Sequence, residues 1–213
     1  NRKVVTVLSA LLVGAPLAQA VSFDFVSSAA QDGSIGALAQ FSGDPNRTVT
    51  FKNGSLGYDF IIRNSDEASL IDLRGNLGDS YTIGVVSTVG NIQTATVIGT
   101  GLFRISDGAG FDLTGDLQWN TIFSFGSVLG LNYNGASNLT NVTYNGTNAG
   151  LIKIRDQINQ NLVVSAQFSQ PMPLTSLMAQ GAFDETTYSG SFQSVPEPMS
   201  MAVIGLGALA LIR

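Results

Sequence analysis

The carboxylates Asp107, Asp112 and Asp116, with Gly108 and Gly110 between the first two, are the side chains best spaced for chemistry. Calcium takes several oxygen ligands in a flexible geometry, and a glycine-rich loop opening onto a strand can supply them. Asp107, Asp112 and Asp116 are therefore a calcium candidate. Neither the EF-hand spacing nor the glycine-aspartate nonapeptide repeat accompanies them. The competing reading is a hairpin turn at Asp107-Gly108 followed by solvent-facing aspartates on an alternating strand. It is preferred, because charged side chains ordinarily stay at the surface.

A glycosidase needs two carboxyl groups about 5 to 9.5 Å apart. Asp112 and Asp116 on one strand would have Cα atoms about 13.5 Å apart, at roughly 3.4 Å per residue. A hydrolase would need a partner such as Asp59, Asp72 or Asp184. The chain has no histidine and no cysteine, which removes the usual zinc sites and the Ser-His-Asp and Cys-His constellations. Lys52 and Lys153 do not sit in an S-x-x-K context. The chain reads as a non-enzyme without a cofactor, and an extracellular glycan hydrolase ranks third. Trp119, Tyr133, Tyr144 and Tyr188 could stack on sugars. However, Trp119 shares an apolar strand face with Phe111 and Leu113, and Tyr144 alternates with Val142, so both read as core. Sequons at Asn46, Asn53, Asn138, Asn141 and Asn145 carry little weight in a body this rich in Asn, Ser and Thr.

The elements that must position these residues are strands. Period-two alternation recurs along the chain. In Phe111 to Trp119, the residues Phe111, Leu113, Leu117 and Trp119 take one face and Asp112, Thr114, Asp116 and Gln118 the other. Leu162, Val164, Ala166 and Phe168 likewise point inward, and Tyr188 to Phe192 repeats the pattern. Further strands are predicted at Thr48 to Lys52, Tyr58 to Arg63, Ser69 to Arg74, Ser80 to Thr88, Gln93 to Ser106 (bulged at Gly99 or Gly101) and Leu139 to Tyr144. Turn signals separate them at Gly43-Asp44-Pro45, Lys52-Asn53-Gly54, Val89-Gly90-Asn91, Asp107-Gly108 and Asn145-Gly146. Short helices are predicted at Pro173 to Gln180 and Leu151 to Asn159. Without a repeat of fixed period, this implies an all-β, antiparallel β-sandwich or jelly-roll-like body rather than a solenoid.

Both ends are of another kind. Arg2-Lys3, an apolar run from Val4 to Gly14, and Ala18-Gln19-Ala20 form a secretory signal helix with cleavage after Ala20. At the other end Val195-Pro196-Glu197-Pro198 precedes the apolar run Met199 to Ile212 and then Arg213. As a helix that run reaches about 21 Å, short of a bilayer core of about 30 Å. The tail resembles the PEP-CTERM sorting signal of exported bacterial proteins, in Val195-Pro196-Glu197-Pro198, the short hydrophobic helix with Gly205-Leu206-Gly207, and Arg213. Family tails end in a basic cluster, of which this one has Arg213. The resemblance implies transient inner-membrane anchoring through the tail, cleavage near Pro196-Glu197-Pro198 by an exosortase-class enzyme, and release to the cell surface.

Residues 1–20 are thus expected to be the signal, 21–194 the body and 195–213 the sorting tail. A net charge of −5 argues against nucleic acid as a partner. The reading that follows is a non-enzymatic surface or matrix protein, with the export machinery and an exosortase as partners and exopolysaccharide or biofilm as its setting. The alternative is a carbohydrate- or calcium-binding adhesive module. Intact mass of the surface-released protein checks the sorting. A C-terminus between Val195 and Pro198 is expected, and a surface form still carrying Arg213 would contradict it.

Overall fold

The computed structural model describes residues 20–27, 38–78, 80–125, 132–157, 159–168 and 172–195. In chain order its strands begin with β1 Ser22–Ser27, β2 Leu38–Ser42, β3 Thr48–Lys52, β4 Phe60–Ser65 and β5 Arg74–Asn76. They continue with β6 Ser80–Ile83, β7 Ser87–Val89, β8 Ile92–Ile98, β9 Thr100–Ser106 and β10 Asp112–Phe125. The last are β11 Asn132–Thr143, β12 Asn159–Gln167, β13 Phe183–Thr186 and β14 Tyr188–Val195. Two short helices, α1 Ala149–Arg155 and α2 Leu174–Leu177, and a 3₁₀ turn at Ala68–Leu70 complete it.

The body is all-β and antiparallel, as the alternation predicts. Its strands do not part into two separate sheets, however. β11 bonds to both β10 and β12, so β10-β11-β12-β14-β1-β4-β5-β9 close into an eight-stranded ring. Closure satisfies every edge within the ring. A branch of β8-β6-β3-β2-β13 leaves from β10, with β7 alongside β8.

The branch point is where one long strand breaks. The N-terminal half of β10 pairs with β9 and its C-terminal half with β8, both on the same edge. Gly99, between β8 and β9, has φ 138°, a conformation that side chains disfavour. There the chain turns from the branch into the ring. A register shift in β10 between Trp119 and Thr121 lets Trp119 and Ile122 both point inward.

The ring is filled by aromatic rings set over glycines. Phe23 stacks on Phe192 at 4.7 Å, Phe25 meets Phe60 at 4.8 Å, and Phe60 meets Phe103 at 5.8 Å. A Cβ on Gly190 would lie 2.2 Å from Phe25 Cζ, and one on Gly101 2.2 Å from the Tyr81 hydroxyl. Leaving Phe111 exposed is a correction to the sequence expectation. The Asp107 N–H donates to the Phe111 carbonyl at 3.0 Å, so Phe111 closes the turn before the strand begins. The strand predicted at Ser69 to Arg74 is also replaced. Ser69 accepts the Gly150 N–H on its hydroxyl and the Asn148 amide on its carbonyl, and these contacts fix a 3₁₀ turn beneath α1.

The chain enters and leaves the ring side by side. The Val21 N–H donates to Ser194 Oγ at 2.8 Å, and the Ser194 N–H to the Val21 carbonyl at 2.9 Å. β14 runs one residue beyond the expected end of the body, with Val195 opposite Asn159. Gly190→Ala is expected to overpack the ring and lower the unfolding free energy by about 1–3 kcal/mol, read from denaturant midpoints. An unchanged midpoint would mean that Phe25 is not seated on Gly190.

Candidate functional site

The three candidate calcium ligands are put to separate local uses. Asp107 Oδ1 accepts from the Ala109 and Phe111 N–H groups at 2.7 and 3.0 Å, and Oδ2 from the Tyr144 hydroxyl at 2.8 Å. Partial burial works to raise its pKa, but these hydrogen bonds outweigh it and hold the carboxyl below its ordinary value. Tyr144 in turn accepts the Asn148 N–H at 3.0 Å, and Asn148 caps α1 through the Leu151 N–H at 3.1 Å. Asp112 forms an ion pair with Arg104 at 2.7 Å, and Asp116 accepts the Asn141 amide at 2.7 Å. Among the described residues no group of three or more His, Cys, Asp or Glu side chains is placed to hold a metal ion. Of the other acids named from sequence, Asp72 pairs with Arg63 at 3.1 Å on the surface, Asp184 is half-buried on β13, and Asp59 is buried.

The aromatic residues considered for sugar stacking do not share an exposed face. Trp119, Tyr144 and Tyr188 are all buried, and Tyr133 stands on β11 opposite Ala166. Trp119 stacks on Phe51 with centroids 5.2 Å apart and planes at 12°. Tyr81 meets Trp119 edge-on at 5.5 Å, and Tyr188 meets Phe51 edge-on at 5.1 Å. A small apolar void of about 10 Å³ remains beside them, lined by Phe41, Phe51, Trp119 and Ile122 among others. That is at the lower limit for one water and far below a ligand cavity of about 300 Å³ or more.

Asp59 lies at the polar end of this aromatic group. Its Oδ2 accepts the Leu77 N–H at 2.9 Å, its carbonyl accepts the Tyr188 hydroxyl at 2.7 Å, and Tyr81 donates to the Leu77 carbonyl at 2.6 Å. Burial pushes the Asp59 carboxyl up from 3.8 to about 8, against the lowering effect of the Leu77 hydrogen bond. Burial together with the neighbouring Asp59 pushes the Tyr188 hydroxyl well above its ordinary value. The group is sealed from solvent and gives substrate no access.

The outer face of the branch sheet offers the accessible chemistry. One row across five strands reads Phe183, Ser42, Thr48, Thr82 and Ile98. The next reads Glu185, Gln40, Thr50 and Ser80, with Thr50 donating to Ser80 at 2.9 Å. Thr96 and Thr121 face each other beyond, and Phe125 lies opposite Ile92 at the margin. Its charges are paired, Lys52 to Glu185 at 3.0 Å. The sequence reading did not single out this face; the signal was there, as serine and threonine alternating with apolar residues in Thr48 to Lys52 and Ser80 to Thr88.

Pro196, Glu197, Pro198, Arg213 and Ala18 lie outside the described residues, while Ala20 and Val195 border the body. The chain matches no family model, no curated protein and no solved structure.

Asp59 gives a signed pH dependence. Its folded pKa of about 8 exceeds its ordinary 3.8, so the native state keeps a proton that the unfolded chain releases within that window. Its contribution is fully present below the lower value and is lost as pH rises through the upper one. Melting measured at about pH 5 and about pH 9 is expected to fall more steeply for the native chain than for Asp59→Asn. Equal slopes would place the titration elsewhere.

Proposed function

We propose that the chain is an exported, non-enzymatic protein of the cell surface or extracellular matrix that contacts neutral exopolysaccharide through the outer face of its branch sheet. The observation that carries this reading is the hydroxyl-rich, charge-balanced plane of Ser42, Thr48, Thr50, Ser80, Thr82 and Thr96. Each hydroxyl can both donate and accept, and threonine adds a methyl group for the C–H side of a sugar. Phe183 and Phe125 at the margins are exposed for ring contact.

Export and sorting in this reading belong to the two ends. Residues 1–20 direct the chain to export, and Val195, Pro196, Glu197, Pro198 and Arg213 present the tail to an exosortase-class enzyme after transient inner-membrane anchoring. The adjacency of Val21 and Ser194 supports it, since both addressing segments then join the body at one place. This reading assigns no role to calcium: Asp107, Asp112 and Asp116 each serve a separate local contact. In this reading the branch sheet forms one layer of a sandwich-like body, with Phe41 and Phe51 facing Trp119 and Val164.

Native gels containing neutral or acidic polysaccharide test the contact. Retardation by the neutral polymer is expected, and Thr82→Glu, a charge at the centre of the plane, is expected to weaken it about ten-fold, or about 1.4 kcal/mol. Mobility unaffected by any polysaccharide, or a Thr82→Glu protein retarded as strongly as the native one, would overturn the assignment.

A further inference from the structure

The branch sheet ends differently at β7 than elsewhere. Along one edge of β8, β6 lies beside Val97 and Ile98, and β7 beside Ile92 to Thr94. β3 covers β6 in turn, whereas β7 pairs with β8 alone. Arg47 marks the border. Its guanidinium donates to the carbonyls of Ile83 and Gly84, so the last acceptors of β6 are taken. Beyond Gly84, no described strand lies on the outer edge of Val85 to Val89.

That edge is ready to bond. Gly90 and Asn91 turn β7 back onto β8, with Val89 opposite Ile92 and Ser87 opposite Thr94. In a two-residue hairpin these pairs aim their amide groups at each other, so Thr88 aims its N–H and C=O outward. Natural sheets blunt such edges with lysine, proline, bulges or inward charges. Here there is no charged residue and no proline from Ser80 to Phe103. β7 is exposed along its length, and Val85 and Val89 are 87% and 77% exposed. Ile92 and Phe125, also exposed, continue the apolar row that begins at Val89.

The occupant must offer a backbone in extended form and tolerate an uncharged, β-branched edge. Two copies of this chain, each of net charge −5, repel over most of their surfaces. Along this edge they meet no like charge. Antiparallel pairing about a two-fold axis is self-complementary, because the same residues serve both partners. A glycan presents no ladder of alternating donors and acceptors at strand spacing. We infer that β7 pairs with β7 of a second copy, joining two branch sheets into one that crosses the contact. The contact does not depend on the polysaccharide reading, and it is read without any glycan present.

Because the chain has no cysteine, a single introduced thiol reports the contact. The full chain carrying Ser87→Cys is oxidised in mild detergent, which covers its apolar ends, beside a Val163→Cys control on the outer wall of β12. Across a β7 pair the Ser87 positions come within the roughly 4.4–6.8 Å Cα range of a disulfide. Disulfide dimer is expected as the main product from Ser87→Cys and only background from Val163→Cys. Adding Thr88→Pro removes the outward donor but none of the hairpin's own bonds, and is expected to return the dimer to background with the circular dichroism unchanged. Val89→Lys, which sets a charge opposite the exposed Val85 of the other copy, is expected to do the same. Equal yields from the two thiols, or a dimer that survives both Thr88→Pro and Val89→Lys, would overturn the inference. So would a Ser87→Cys thiol protected from alkylation in dilute chain, since the chain's own segments would then cover the edge.

Discussion

The stack of Phe51 on Trp119 is the joint that fixes the branch sheet to the ring. Phe51 comes from β3 in the branch and Trp119 from β10 in the ring wall. Tyr81 and Tyr188 close the stack edge-on from β6 and β14. Offset and edge-to-face ring pairs each contribute about 0.5–1.5 kcal/mol beyond area burial. The hydroxyls of Tyr81 and Tyr188 then reach the backbone of Leu77 and Asp59, so each buried phenol has a partner. The β8–β10 ladder and the packing of Phe41 against Phe168 and of Tyr81 over Gly101 complete the attachment. With it, the branch has a buried inner face and a fixed outer one.

The same constraint decides where function can reside. The ring interior is taken up by phenylalanines set over glycines, and what remains at the joint is too small for a ligand. Asp59, among the described residues the buried carboxyl with a strongly raised pKa, is used to order the Leu77 backbone under the aromatic group. The proposed partner contacts accordingly lie outside, on the hydroxyl plane of the branch and along the β7 edge. The two are neighbours on one sheet, so a strand-paired dimer would present two hydroxyl planes side by side. Multivalent contact with a repeating polymer gains from such an arrangement, because the second contact becomes intramolecular.

Much of the local structure was legible in the sequence, and most of the closure was not. Leu162, Val164, Ala166 and Phe168 alternate cleanly and are buried. Gly99, in a long apolar-alternating run, marks the break between β8 and β9. β11 carries Asn132-Tyr133-Asn134-Gly135-Ala136-Ser137-Asn138, a stretch of poor strand propensity. Its partners β10 and β12 hold it extended, and that tertiary pairing is what closes the ring. Ser69 to Arg74 is rich in Leu and Ile and reads as a strand, yet polar contacts from Asn148 and Gly150 hold its start in a turn. Ser22-Phe23-Asp24-Phe25 did carry a readable alternation, beside the signal segment. The bland reading of Asp107 as a turn residue agrees with its hydrogen bonds. Asp59 could not be ranked above Asp72 or Asp184 until its burial was visible.

The central claim is that the aromatic interior around Trp119 is closed among the described residues, and that the proposed partners are met on the outer surface. Trp119 is the sole tryptophan and sits in the joint, so its fluorescence reports on that interior directly. Emission spectra and acrylamide quenching, recorded with and without saturating neutral polysaccharide, make the test. The account predicts a blue-shifted emission, poor quenching, and neither property changed by the polymer. A spectral shift on adding polymer, or quenching as fast as that of a free indole, would place Trp119 at an accessible binding site and contradict it.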